Sequence, residues 1–71
     1  MGLNVVEDIA QELGLRIVRG ELSAGARLPA VRTLSAEFGV NVSTIQRVLV
    51  QLEERGLVVA LPRTGVEVRD V

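Results

Sequence analysis

Three side chains with different hydrogen-bonding capacities recur at helical spacing in the middle of the chain. Ser43, Gln46 and Arg47 fall on one side of the run G-V-N-V-S-T-I-Q-R-V-L-V-Q-L-E-E-R-G, from Gly39 to Gly56, and Val50 continues that side one turn on. A hydroxyl, an amide and a guanidinium are the groups that pair with base edges in a DNA major groove. The same set also describes the solvated face of an ordinary amphipathic helix, so its meaning depends on the elements around it. Reaction chemistry is poorly provided for. The chain has no cysteine and no histidine, and lysine and tyrosine are missing too. Disulfides and thiolate metal sites are therefore excluded, and the commonest general base and metal ligand is absent. Catalysis would have to rest on carboxylates, hydroxyls and arginines, and no grouping of Glu and Asp forms a working pair. No enzyme activity, no metal and no cofactor are expected.

The elements that must hold those side chains begin with the helix itself. Ile45, Val48, Leu49 and Leu52 recur at i, i+3, i+4 and i+7, the spacing of one buried helix face. Asn41 is the expected N-cap, its side-chain oxygen accepting an amide of the first turn, with Val40 and Ile45 placed to form a hydrophobic staple. Gly39 and Gly56 bound the segment. Before it, Val31, Leu34, Ser35 and Phe38 give the inward face of a shorter helix, roughly Ala30 to Phe38, with Arg32 and Thr33 pointing away. Two short helices joined by a tight Gly-containing turn are the helix-turn-helix layout.

Residues 4–19 read as the first helix. Asn4 is its candidate cap and Glu7 the capping-box partner. Val5, Val6, Ile9, Ala10, Leu13 and Ile17 make its apolar stripe. Gly14 within it marks either a close packing contact or a tolerated weakness of roughly 1 kcal/mol. Gly20 ends the helix. The connector G-E-L-S-A-G-A-R-L-P turns at Gly25, and Ala26 to Leu28 suit a very short strand. After Gly56 come an apolar run from Leu57 to Leu61, the turn P-R-T-G, and the alternating stretch Val66 to Arg69. These predict a hairpin with Arg63 and Thr64 at its tip, and Gly65 free to take positive φ. Helix, short strand, helix, helix and hairpin is the order of a winged helix, so the fold class is mainly α with a small β-hairpin.

Bulk properties fit one small domain. The chain has 71 residues, 48% of them apolar, and Phe38 is the only aromatic, so the core must be aliphatic. There is no uninterrupted apolar run long enough for a membrane span and no basic segment leading into an apolar one, so neither an anchor nor a signal peptide is expected. The net charge of −1 counts against a nucleic-acid binder. Its distribution does not. Glu7, Asp8 and Glu12 weigh the first dozen residues, whereas Arg27, Arg32 and Arg47 share their stretch with the single acid Glu37.

With these motifs in order, the sequence resembles the N-terminal DNA-binding domain of the GntR family of bacterial transcription regulators over about residues 9–68. I-V-R-G-E-L-S-A-G-A-R-L-P is similar to the family's helix-one ending and connector, V-R-T-L-S-A-E-F-G-V to its second helix and turn, and N-V-S-T-I-Q-R-V-L-V-Q-L-E-E-R-G-L-V to its recognition helix. P-R-T-G-V-E-V stands at its wing. The resemblance implies a recognition helix at about 42–55 in the major groove and a wing at about 57–69. It places Arg32 at the major groove, Ser43 and Thr44 on phosphate or base edges, and Arg63, Thr64 and Gly65 by the minor groove. Asn41, Val42, Gln46 and Arg47 complete the implied DNA-binding set. The chain departs from the family where Ala30 replaces a capping serine, where Asn41 replaces Ser or Thr, and where Val42 and Gln46 replace arginines. Glutamine reads adenine and valine meets a thymine methyl, which implies a shifted operator.

The family also implies a homodimer on double-stranded DNA carrying an inverted repeat, and a cytoplasmic protein. A small-molecule effector would bind a C-terminal domain that these residues, read as one winged domain over 1–71, do not include. Plainer readings stand beside these. Arg32 can pair with Glu37, Arg47 can pair with Glu54, Arg55 can complement its helix dipole, and Val42 can be half-hidden in the turn. A winged helix serving as a protein-interaction or dimerisation module is the alternative function, favoured by the negative charge and by Val42 and Val50. An enzyme would require an appended pyridoxal-phosphate-dependent domain, as in one subfamily.

Overall fold

The computed structural model describes residues 5–63 and 65–69. Its elements are α1 (Val5–Val18), α2 (Val31–Phe38), α3 (Val42–Glu54), β1 (Val58–Leu61) and β2 (Gly65–Val68). Asn4, the expected first cap, lies outside the described residues. On α1 the stripe buries Ile9, Ala10 and Leu13, with Val6 and Ile17 half-buried, but Val5, its first residue, is exposed. Gly14 proves to be a packing contact. A Cβ there would stand 3.4 Å from Leu57 Cδ1 and 4.0 Å from Leu52 Cδ2, ordinary van der Waals distances, so α1 packs closely here against Leu52 of α3 and against Leu57, with room for no more than a methyl.

The three helices meet on Leu13, Leu34, Ile45, Val48 and Leu52, all wholly buried. Each such side chain contributes roughly 1.5–3 kcal/mol by leaving water. α3 is the shared partner of α1 and α2, which is why its inward face must be continuous. Leu49 lies at the edge of that face and is half-buried.

The turn between α2 and α3 fixes how α3 projects. Gly39 takes φ 68°, ψ 36°, a left-handed conformation that a side chain would disfavour by roughly 1 kcal/mol or more. Ser35 then ties the turn from inside. Its carbonyl accepts the Val40 amide at 3.1 Å, and its hydroxyl donates to the Val40 carbonyl at 2.6 Å. An inward serine at an apolar position is thereby satisfied, and the pair of bonds holds the bend rigid.

In the hairpin, Val58 pairs with Val68, Val59 with Glu67, Ala60 with Val66 and Leu61 with Gly65. The predicted first strand position, Leu57, falls just before β1, yet its carbonyl still accepts the Arg69 amide at 3.0 Å. The short strand expected at Ala26 to Leu28 is reduced to an isolated bridge that flanks the two-stranded sheet. Arg27 lies opposite Glu67, Leu28 N–H donates to Val66 O at 2.8 Å, and Val68 N–H donates to Ala26 O at 2.9 Å. β2 thus takes bonds on both sides, from β1 and from the connector, and Leu28, Val58 and Val68 bury one face of the ribbon against the helices.

Candidate nucleic-acid interface

One side of the first two turns of α3 is open to solvent. Asn41, Val42, Ser43, Gln46 and Arg47 are exposed there, and Thr44 is half-buried. Val42 is 37% exposed and so partly hidden in the turn, as its plainer reading has it, whereas Val50, 53% exposed, is open to solvent. The opposite side of the same turns is Ile45 and Val48, wholly buried. The polar set is therefore held on a helix that cannot rotate without tearing out its core face.

One expectation at this site is corrected. Asn41 occupies the N-cap position with extended backbone, φ −69° and ψ 154°, but its side chain makes no capping bond. Its backbone carbonyl accepts the amides of Thr44 and Ile45 at 3.0 and 3.2 Å. The side chain faces solvent, where water competes with the amides for it, so its donors and acceptor remain open to an outside partner. Ala30 likewise caps α2 with extended backbone and no side-chain bond, as its methyl dictates.

Arg32 projects from the first turn of α2 and is exposed. Its suggested pairing with Glu37 is not formed. Five residues along a helix is a rotation of about 140°, which puts the two on different faces. Glu37 instead meets Arg16 of α1 at 2.8 Å, and Arg16 also lies 3.8 Å from Glu12 and 5.5 Å from the Phe38 ring centroid. The hydrogen bond to Glu37 holds the Arg16 guanidinium more firmly protonated than usual, with burial opposing it and the charges of Glu37, Glu12 and Glu21 adding to it. This cluster joins α1 to the end of α2. Being partly solvated, it is worth no more than about 1 kcal/mol per pair.

A further ion pair, Arg19 with Glu21 at 3.9 Å, sits beyond the end of α1. Arg47 does not reach Glu54, since seven residues separate them by roughly 10 Å along the axis. Among the described residues, Arg32, Arg47 and Arg63 have no carboxylate partner. The carboxylates engaged with arginines cluster around α1, while α2 and the first turns of α3 present Arg32 and Arg47 without acid partners; Glu53, Glu54 and Glu67, farther along α3 and on β2, also lie outside any arginine pair. A net charge of −1 conceals this division.

At the hairpin tip Arg63 is exposed with φ 65°, the sole residue other than glycine with positive φ among those described. Thr64, expected beside it, lies outside the described residues. Gly65 takes φ 105° as the first residue of β2. The ribbon is steadied against α3 by Glu53, whose Oε2 accepts the Ala60 amide at 3.3 Å. Sequence reasoning passed over Glu53, because nothing in its spacing marks a bond to a strand seven residues on.

A bent pair of helices with a hairpin wing beside the second of them defines a winged helix-turn-helix, a DNA-binding architecture. A family model described as "Bacterial regulatory proteins, gntR family" matches residues 5–68. The chain belongs to the GntR family, and it is the DNA-binding domain of such a transcriptional regulator. It is similar to the HTH-type transcriptional regulator YjiR of Escherichia coli (strain K12), with 41% identity over 83% of this chain and 13% of that protein. A GntR family transcriptional regulator from Listeria monocytogenes superposes with a TM-score of 0.91 at 30% identity, over 99% of this chain and 61% of that one. The AraR DNA-binding domain, solved with operator ORR3, shares the fold with a TM-score of 0.89 at 24% identity, over 96% of this chain and 82% of that one. The chain thus spans about an eighth of YjiR and under two thirds of the Listeria regulator. Among the described residues, no helix is long and apolar enough to cross a membrane.

Proposed function

We propose that this domain recognises a specific operator by laying the start of α3 in the major groove and the wing along the adjacent minor groove. Ser43, Thr44, Gln46 and Arg47 face base edges or phosphates, and Asn41 and Val42 stand at the helix tip beside them. Arg32 reaches the same groove from α2, while Arg63, Thr64 and Gly65 approach the minor groove. The observation that supports this most is the exposed polar start of α3 beside arginines that lack carboxylate partners. AraR, a protein of the same fold, was solved on its operator. The whole protein acts in the cytoplasm as a homodimer on an inverted repeat, with a further domain that takes a small-molecule effector. It catalyses no reaction through these residues. Family membership does not favour the alternative of a pure protein-interaction module.

Gln46 and Val42 predict what is read. Glutamine bonds adenine through N6 and N7, where an arginine would bond guanine. Selection of bound duplexes from a random pool should return half-sites with adenine or thymine at those positions. Gln46→Arg should move the preference to guanine, by roughly 1–3 kcal/mol. Recovery of a guanine-dependent operator by the natural chain would show that Gln46 does not read bases.

A further inference from the structure

Between the wing and the start of α2 lies an arginine that the reading above leaves without a part. Arg27 sits at the isolated bridge directly opposite Glu67 of β2. Partners across an antiparallel pair project from the same side of the ribbon, so Arg27 stands on the outer face with Glu67 and Val59. Its neighbour Leu28 turns the other way and is buried. The Arg27 stem lies over the wing, with Cδ 3.9 Å from where a Cβ on Gly65 would be. Beside it runs a groove of about 260 Å³, whose lining includes Arg27, Pro29, Ala30, Val31, Leu49 and Gly65. Arg27 is exposed, and no carboxylate, Glu67 included, forms an ion pair with it among the described residues.

The position of this groove gives it a use. A duplex that takes α3 in its major groove and the wing in the neighbouring minor groove must pass one sugar–phosphate strand between them. The groove beside Arg27 is lined by the start of α2, by Leu49 of α3 and by the wing. We propose that Arg27 binds a phosphate of that intervening strand, gripping the backbone without reading a base. This rests on the placement of α3 and the wing proposed above. A guanidinium suits the task because its forked donors match a phosphate's oxygens and its charge survives at any working pH. Strand pairing on one side and the wing beneath its stem hold it in place.

The test is anisotropy titration of the selected operator and of unrelated duplexes by the natural chain, Arg27→Gln and Arg27→Lys, from about 50 to 200 mM salt. Arg27→Gln should bind every duplex roughly fivefold more weakly, with the ranking of sequences unchanged. The slope of log affinity against log salt should flatten by about 0.9, the share of one phosphate contact. Arg27→Lys should recover most of the loss. A methylphosphonate replacing a phosphate between the two grooves should weaken the natural chain and leave Arg27→Gln unaffected. An Arg27→Gln variant that melts like the natural chain and binds with its affinity and slope would overturn the assignment while leaving the operator reading intact. A changed ranking of sequences would overturn it too, in favour of base contact. If the natural chain binds no duplex at the lowest salt, the placement of α3 and the wing fails, and this proposal fails with it.

Discussion

Raising salt from about 50 to 200 mM is expected to weaken operator binding by this domain roughly 40- to 150-fold. Each phosphate neutralised by an arginine releases counterions and adds about −0.9 to the slope of log affinity against log salt. Arg27, Arg32, Arg47 and Arg63 are exposed and without carboxylate partners among the described residues. If three or four of them meet phosphate, the slope falls between about −2.7 and −3.6, and a fourfold rise in salt gives the stated loss. The acids near α1 do not cancel this, because salt at these concentrations screens charges beyond about 10 Å. The net charge of −1, taken as a uniform property, would predict almost no slope. Fluorescence titration across that salt range separates the two. A flat response would mean that the arginines do not face the duplex.

The largest loss of stability is expected from Leu52→Ala. Leu52 is wholly buried where α3 closes onto α1, and its Cδ2 lies 4.0 Å from the Cβ position of Gly14. Gly14, which faces it, has no side chain to fill the space. Truncation should cost about 3 kcal/mol. A domain of this size has roughly 4–10 kcal/mol in all, so the melting temperature should fall by about 12–24 °C. Val50→Ala, two residues earlier on the same helix but 53% exposed, should change stability by no more than about 0.5 kcal/mol. Thermal unfolding followed by circular dichroism compares them directly. Equal losses at the two positions would contradict the assigned inner and outer faces of α3.

The architecture was legible where periodicity and punctuation agree. Ile45, Val48 and Leu52 give α3 its inner face, Gly39 gives the bend, and the apolar run into P-R-T-G gives the wing. The short strand read at Ala26 to Leu28 survives only as a bridge at Arg27, since the proline that follows and the turn before it leave no room for a longer ladder. Sequence reasoning failed where a side chain has a choice of partners. Glu37 was set against Arg32 on its own helix, yet it binds Arg16, twenty-one residues away on α1, because helix geometry turns Arg32 aside. The cap expected from the Asn41 side chain is supplied by backbone alone. Ser35 was read as inward from its spacing, but its bond to Val40 depends on a turn that only the folded chain defines. The division of charge was half visible in the order of acids and arginines. Its completion needed the ion pairs that occupy the acids near α1.

The interface placement is tested most directly by amide chemical shifts of the labelled domain as operator duplex is added at low salt. Shifts should concentrate at Arg32, across Asn41 to Arg47, and at the hairpin tip around Arg63, with Glu7, Asp8 and Glu12 on α1 left unmoved. Shifts centred on α1, or none anywhere at low salt, would contradict it.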